Sequence, residues 1–247
     1  MSRYDRQIAL PGFGLASQER FQHATALVVG AGGLGCPAIA YLAGAGVNLT
    51  IVDSDMVELS NLHRQVLYAQ SQIGQPKAEL AAAFARRLNR DITVVPVVQR
   101  LGGHELVNTL VASADIVLDC SDNLPTRYLL NRACFGSQVP YVWAAIGGTA
   151  GRCSVSADGS PCFECVTGPM TSRPGPSAPA TFGPSCGMLG SLAAGQALMK
   201  LAGVGNLLTG RLANIDLLTG EMDVIDIAHN PTCETCARPT CNTAAKF

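Results

Sequence analysis

Val28-Val29-Gly30-Ala31-Gly32-Gly33-Leu34-Gly35 is the stretch on which the fold turns. An apolar run stops at glycine, the G-x-G-x-x-G spacing follows, and Leu34 to Ala45 reads as a helix closing at Gly46. Glycines let the backbone turn tightly and approach a pyrophosphate, while the helix N-terminus offers N–H donors to its charge. Gly30, Gly32, Gly33 and Gly35 are therefore candidate nucleotide-binding residues. Asn48 to Val52 reads as the next strand, ending on Asp53, where a carboxylate accepts hydrogen bonds from ribose hydroxyls. The glycine loop alone does not separate NAD, FAD and ATP.

Outward from this loop, apolar runs alternate with helical patterns. Helices are expected over Gln18–Ala24, Lys77–Leu88, His104–Val111 and Pro125–Phe135, with strands over Ala26–Val29, Thr93–Val98, Asp115–Leu118 and Tyr141–Ile146. Pro76 precedes the Lys77 helix, a favoured start. Such alternation predicts an α/β, doubly wound, Rossmann-like and mostly parallel sheet. Beyond about residue 150 the pattern changes. Arg152–Ser156, Arg211–Ile215 and Met222–Ile227 read as strands without intervening helices, and Gly187–Leu201 is the clear late helix. The expectation is one domain over 1–247, with a nucleotide-binding core over about 20–150 and a mixed antiparallel extension over about 151–247. Thr167 to Pro184, rich in Pro, Ser, Thr and Gly, reads as a long mobile loop.

Composition narrows the function classes. The 247 residues are 48% hydrophobic and 14% charged, against a usual charged share of ~25%, which excludes a solvated disordered chain. A net charge of −1 gives no electrostatic footprint for nucleic acid or an anionic membrane. Met1 to Leu10 lacks the apolar run of a signal peptide, and no stretch has the length of a membrane span, so the expected location is cytoplasmic.

The segment after Asp53 argues against hydride chemistry. Asp55, Ser60, Asn61, Arg64 and Gln65 crowd one stretch, and Lys77 follows. A dinucleotide dehydrogenase has no need of that density, whereas a triphosphate does. Arg64 offers a planar fork to phosphate oxygens and Lys77 a point charge. Leu118-Asp119-Cys120-Ser121-Asp122-Asn123 puts carboxylates at a strand's C-terminal end, where α/β sheets bind ligands and where a carboxylate can hold Mg²⁺ against phosphates. Asp122 is equally a candidate N-cap for the following helix.

Arg3-Tyr4-Asp5-Arg6-Gln7, the glycine loop, Asp53-x-Asp55, Ser60-Asn61-Leu62-His63-Arg64-Gln65, Gly74-Gln75-Pro76-Lys77 and Asp119-Cys120-Ser121-Asp122-Asn123 come in one order. In that order the sequence resembles the MoeB/ThiF/HesA family, bacterial relatives of ubiquitin-activating enzymes. The resemblance implies a homodimeric adenylyltransferase using ATP and Mg²⁺. Its substrate would be the C-terminal Gly carboxylate of a small β-grasp, ubiquitin-like sulfur carrier ending in Gly-Gly. It implies that Asp53 binds the ribose, that Asn61, Arg64 and Lys77 bind phosphates, and that Asp122 binds magnesium. Arg6 would act from the other subunit, a role that rests wholly on the resemblance. The alternative is a relative that adenylates a small-molecule or peptide carboxylate. No histidine is assigned a catalytic role.

Ten cysteines are numerous for a chain expected in a reducing compartment. Cys162-x-x-Cys165 and Cys233-x-x-Cys236 have the spacing of a closed, structural Zn²⁺ site. Cys36, Cys120, Cys134 and Cys153 read as buried thiols, Cys186 as packing at the late helix's entrance, and Cys241 as an exposed tail residue. Members of the resembled family often carry a cysteine in the loop before that helix. The matching position here is Pro176 or Ser177, so the resemblance does not extend to a covalent carrier link.

Overall fold

A computed structural model describes residues 2–157, 159–170 and 180–237. Two helices, α1 (Asp5–Ile8) and α2 (Gly14–His23), lead into β1 (Thr25–Val29). There follow α3 (Gly35–Ala45), β2 (Asn48–Val52), α4 (Lys77–Leu88), β3 (Val94–Val97), α5 (His104–Ala112), β4 (Ile116–Asp119), α6 (Leu124–Ser137) and β5 (Tyr141–Gly147). The extension comprises β6 (Ala150–Ser156), α7 (Phe163–Thr167), α8 (Gly183–Ala202), β7 (Arg211–Asp216) and β8 (Glu221–Asp226).

All eight strands form one sheet in the order β3-β2-β1-β4-β5-β6-β7-β8. The first five pair in parallel, and β5 through β8 pair antiparallel. Strands β1 and β4 are buried almost end to end, as parallel strands covered on both faces must be. One apolar layer joins the sheet to α3, α4 and α8; the other joins it to α5 and α6 and holds Tyr141, Trp143 and Phe163. Strand order reverses between β1 and β4, which opens a crevice at their C-terminal ends. Among the described residues no helix is long and apolar enough to cross a membrane.

The α/β expectation holds, with local differences. Helix α2 begins at Gly14 and α8 at Gly183, each four residues before its expected start, and the two short helices α1 and α7 were not expected. Pro184 in the first turn of α8 explains the earlier start there, since a proline loses nothing where no intrahelical bond is due. Half of the expected mobile loop, residues 171–179, lies outside the described residues.

The glycine loop has two sterically fixed points. Gly30 has φ +94°, and a Cβ there would sit 2.6 Å from Cys120 O. A Cβ on Gly35 would sit 1.9 Å from Gly30 O, a backbone atom with nowhere to go. Gly35→Ala is therefore expected to cost about 1–3 kcal/mol by overpacking. Gly32→Ala, whose Cβ would meet only Gln65 Nε2 at 3.5 Å, serves as the control. Thermal melting checks this, at roughly 2–4 °C per kcal/mol for a chain of this size. Equal midpoints for the two variants would contradict the steric argument.

Candidate functional site

The crevice is a cavity of 540 Å³ lined from the C-terminal ends of β1, β2 and β4 and from the loops that follow them. Asp53 lies at its edge. Its two oxygens accept N–H bonds from Ala31 at 2.7 Å and Asp55 at 2.8 Å. Burial nonetheless raises its pKa above the ordinary carboxylate value, the two N–H bonds opposing that rise. Tyr68 supports the loop from beneath, donating to Ala31 O at 2.7 Å and to Lys77 O at 3.3 Å.

The cationic side is built by the turn after β2 and by the start of α4. Asn61 ends a single 3₁₀ turn and accepts from Glu58 N–H at 3.2 Å. That turn brings Arg64 back over it, with Nη1 donating to Ser60 O at 2.9 Å and lying 2.7 Å from His63 Nε2. Lys77 is 5% exposed, and its Nζ is 3.1 Å from the exposed Asp55 carboxylate. Opposite, Asn123 caps α6 by accepting from Thr126 N–H at 3.0 Å. The N-cap is thus Asn123 and not Asp122, which leaves the Asp122 carboxylate exposed on the cavity wall.

Two buried polar atoms in residues lining the cavity have no hydrogen-bond partner among the described residues: Gln65 Oε1 and Arg127 Nη1. Buried polar groups are normally satisfied, and sites prepared for a ligand are one of the usual exceptions. Cys186 is buried with its Sγ against the bare face of Gly33, where a Cβ would come within 2.8 Å. Burial raises its pKa, while the Arg64 charge opposes the rise. Cys186 therefore packs, as expected, but does so in the cavity wall.

A second cluster lies in the extension. The Sγ atoms of Cys162, Cys165, Cys233 and Cys236 all fall within 4.8 Å of one another. Cys162 and Cys233 are 3.5 Å apart and Cys165 and Cys236 3.2 Å, too long for the ~2.05 Å of a disulfide. Zn–S bonds of ~2.3 Å put the edges of a tetrahedron near ~3.8 Å, so this donor set fits zinc. Asn131 orients it, donating to Cys162 Sγ at 3.5 Å and accepting from Phe163 N–H at 2.9 Å. Cys36, Cys120, Cys134 and Cys153 are buried, as expected, while Cys241 and the loop position at Pro176 or Ser177 lie outside the described residues.

Comparison with known proteins settles the family. The ThiF family matches residues 4–235. This chain belongs to the ThiF family. It is similar to the molybdopterin-synthase adenylyltransferase of Escherichia coli (strain K12), 40% identical over 242 residues, covering 96% of this chain and 97% of that one. It is also similar to the SAMP-activating enzyme E1 of Haloferax volcanii, 41% identical over 241 residues, covering 96% and 88%. Among solved structures, E. coli MccB with ATP superposes at a TM-score of 0.85, with 21% identity over 96% of this chain and 75% of that one.

Within this ThiF-family chain, Gly30, Gly32, Gly33, Asp53, Asp55, Asn61, Arg64, Gln65, Lys77, Asp122 and Asn123 all line one cavity. Gly35 lies behind it at the start of α3, and Ser60 contributes its carbonyl to Arg64 from outside. Arg6 is exposed on α1 and is not among the lining residues. Arg100 and Arg127 line the cavity without having been expected there. Arg100 carries no sequence signal, standing in an irregular segment. Arg127 does: it is a cation in the first turn of α6, where the helix dipole disfavours positive charge.

Proposed function

We propose that the chain is an ATP-dependent adenylyltransferase. Its substrate is the C-terminal glycine carboxylate of a small ubiquitin-like sulfur carrier, which it converts to an acyl-adenylate with release of pyrophosphate. The observation that carries this is the gathering of Asp53, Asn61, Arg64, Lys77 and Asp122 around one cavity, in a chain whose similar relatives are named adenylyltransferases and activating enzymes. Asp53 takes the ribose hydroxyls. Asn61, Arg64 and Lys77 take phosphate oxygens, and the glycine loop lies along the nucleotide. Asp122, an exposed carboxylate without a cationic partner among the described residues, suits a hard cation such as Mg²⁺, which bound there would neutralise phosphate charge. Zinc in the four-cysteine site is structural, since four thiolates leave no position for water.

The carboxylate is already a nucleophile, so no general base is needed. Its oxygen attacks the α-phosphorus, the bond from that phosphorus to the bridging oxygen breaks, and pyrophosphate leaves. Arg64 and Lys77 stabilise the charge that develops on the phosphates, and the cavity walls hold the two reactants in line.

A second cavity of 490 Å³ shares Ala145 and Ile146 with the first and runs over β5 to β8, past Arg152, Asn214 and Asp223. Helix α8 packs on β5 and β6 from the opposite side. The open face is assigned to the carrier, whose tail enters the nucleotide cavity at Ala145 and Ile146, and the extension over about 151–247 is thus the zinc- and carrier-binding part. The chain acts as a homodimer, Arg6 reaching the partner subunit's nucleotide. A second reading, adenylation of a peptide or small-molecule carboxylate, draws on the likeness to MccB solved with MccA, which is a likeness of fold.

The test is ATP–pyrophosphate exchange with carriers ending in Gly-Gly. Exchange is expected with at least one carrier and is lost when its last glycine is deleted. No exchange with any carrier, from protein that binds ATP, turns the assignment to the second reading.

A further inference from the structure

Arg127 sits in the first turn of α6, 5% exposed. Its Nη2 donates to Ser121 O, and its Nη1 has no partner among the described residues. Beneath it the Asp119 carboxylate, 1% exposed, already accepts three bonds. They come from Ser121 N–H at 2.9 Å, Ser121 Oγ–H at 2.6 Å and Tyr141 O–H at 2.5 Å. No ion pair between Asp119 and Arg127 is present among the described residues. The guanidinium is therefore not explained by contact neutralisation, and burying a charge with a spare N–H is costly. What it does hold is one carbonyl. Ser121 O belongs to the rigid peptide plane whose nitrogen is that of Asp122. Asp119 fixes Ser121 from its N–H and hydroxyl, and Arg127 fixes it from its carbonyl. Asp122 is the next residue and lies on the cavity wall.

We infer that Arg127 is a positioning residue that clamps the Ser121–Asp122 peptide plane and so aims the Asp122 carboxylate at the divalent cation of a bound MgATP. This rests on the reading of the cavity as a MgATP site. It separates two features that a purely structural role would move together. Adenosine is held through Asp53, on the other side of the crevice, and does not depend on the aim of Asp122. The cation does.

The experiment is calorimetric titration of ATP at a series of Mg²⁺ concentrations, and of adenosine alone, for wild type, R127M, R127K, D122N and the R127M/D122N double variant. R127M is expected to raise the Mg²⁺ concentration for half-maximal ATP binding about tenfold, the scale of losing an outer partner of a metal ligand. Adenosine affinity stays within twofold, R127K falls between, and R127M adds nothing to D122N. Should R127M fail to fold with Asp119 left beside a neutral side chain, R127K and the D119N/R127M pair make the same comparison. Equal losses for adenosine and MgATP, or effects of R127M and D122N that multiply, overturn the proposal. Wild-type protein that binds no MgATP overturns the nucleotide reading and this proposal with it. Wild type that binds while the variants show no split overturns the proposal alone.

Discussion

Lys77→Met is expected to lower the rate of pyrophosphate exchange by roughly 10²–10³-fold while leaving the fold intact. Lys77 is buried to 5% exposure at the start of α4, and its stem fills space that a methionine of similar length can occupy. Its ionic partner Asp55 has a side chain 64% exposed, so removing the ammonium leaves that carboxylate solvated rather than stranded. The stability cost is consequently small and the catalytic cost large, because a point charge fixed beside the phosphates is most valuable as charge shifts toward the leaving pyrophosphate. Arg64→Met has the same sign, with a larger share of the loss in ATP affinity, since Arg64 lies on the surface turn and is held by Ser60 O alone among the described backbone groups. Steady-state exchange kinetics with a melting curve on each variant checks this. A Lys77→Met enzyme with near wild-type turnover would remove Lys77 from the phosphate site.

The second large effect belongs to the four cysteines. Their thiols converge from two segments that are far apart in the chain. Cys162 and Cys165 flank the first turn of α7, and Cys233 and Cys236 lie beyond β8. Around them, Glu164 is 2% exposed and takes a 2.5 Å hydrogen bond from Thr235, with Arg132 3.8 Å away. Stripping the metal with a chelator removes the metal–sulfur bonds and leaves the two segments only weak contacts between thiols, while Cys233→Ser removes one ligand. Metal binding to such sites is folding free energy. A loss of about 3–5 kcal/mol is expected, which lowers the melting midpoint by roughly 10 °C. Asn131→Ala, which removes both the N–H donated to Cys162 Sγ and the carbonyl that accepts from Phe163 N–H, weakens zinc about 10–100-fold. Metal analysis of the purified protein, followed by melting with and without chelator, checks both. An unchanged midpoint in metal-free protein would show that the cluster does not hold the extension together.

Much of this was legible from residues because local and global signals agree. The strands β1 and β2 are short apolar runs that stop at glycine and at aspartate, and helix α4 starts on the residue after Pro76, so their bounds follow from chemistry within a few residues. The four cysteines announce themselves by spacing alone. What escaped was decided by tertiary structure. Helix α1 buries none of its four residues and so has no periodicity to read. Helix α2 opens on Gly14 at φ +68°, a poor starter held by the later burial of Ser17, Gln18 and Phe21. The start of α8 was hidden by Gly183, Pro184 and Gly187, and with it the fact that Cys186 stands in the cavity wall against Gly33. Arg127 was missed for a deeper reason. Its one sequence signal, a cation in the first turn of α6, says nothing of the Ser121 carbonyl that it holds in the neighbouring loop, a relation that no periodicity or motif spacing encodes.

The central claim is that a carrier's terminal carboxylate is joined to AMP in the cavity between β1 and β4. The most direct measurement is intact-mass analysis of a Gly-Gly carrier incubated with this protein, ATP and Mg²⁺, alongside assay of released pyrophosphate. The account predicts a carrier–AMP species formed together with one equivalent of pyrophosphate per carrier, absent when the terminal glycine is removed and formed roughly 10²–10³-fold more slowly with Lys77→Met. ATP consumed to ADP and phosphate, with the carrier mass unchanged, would contradict it.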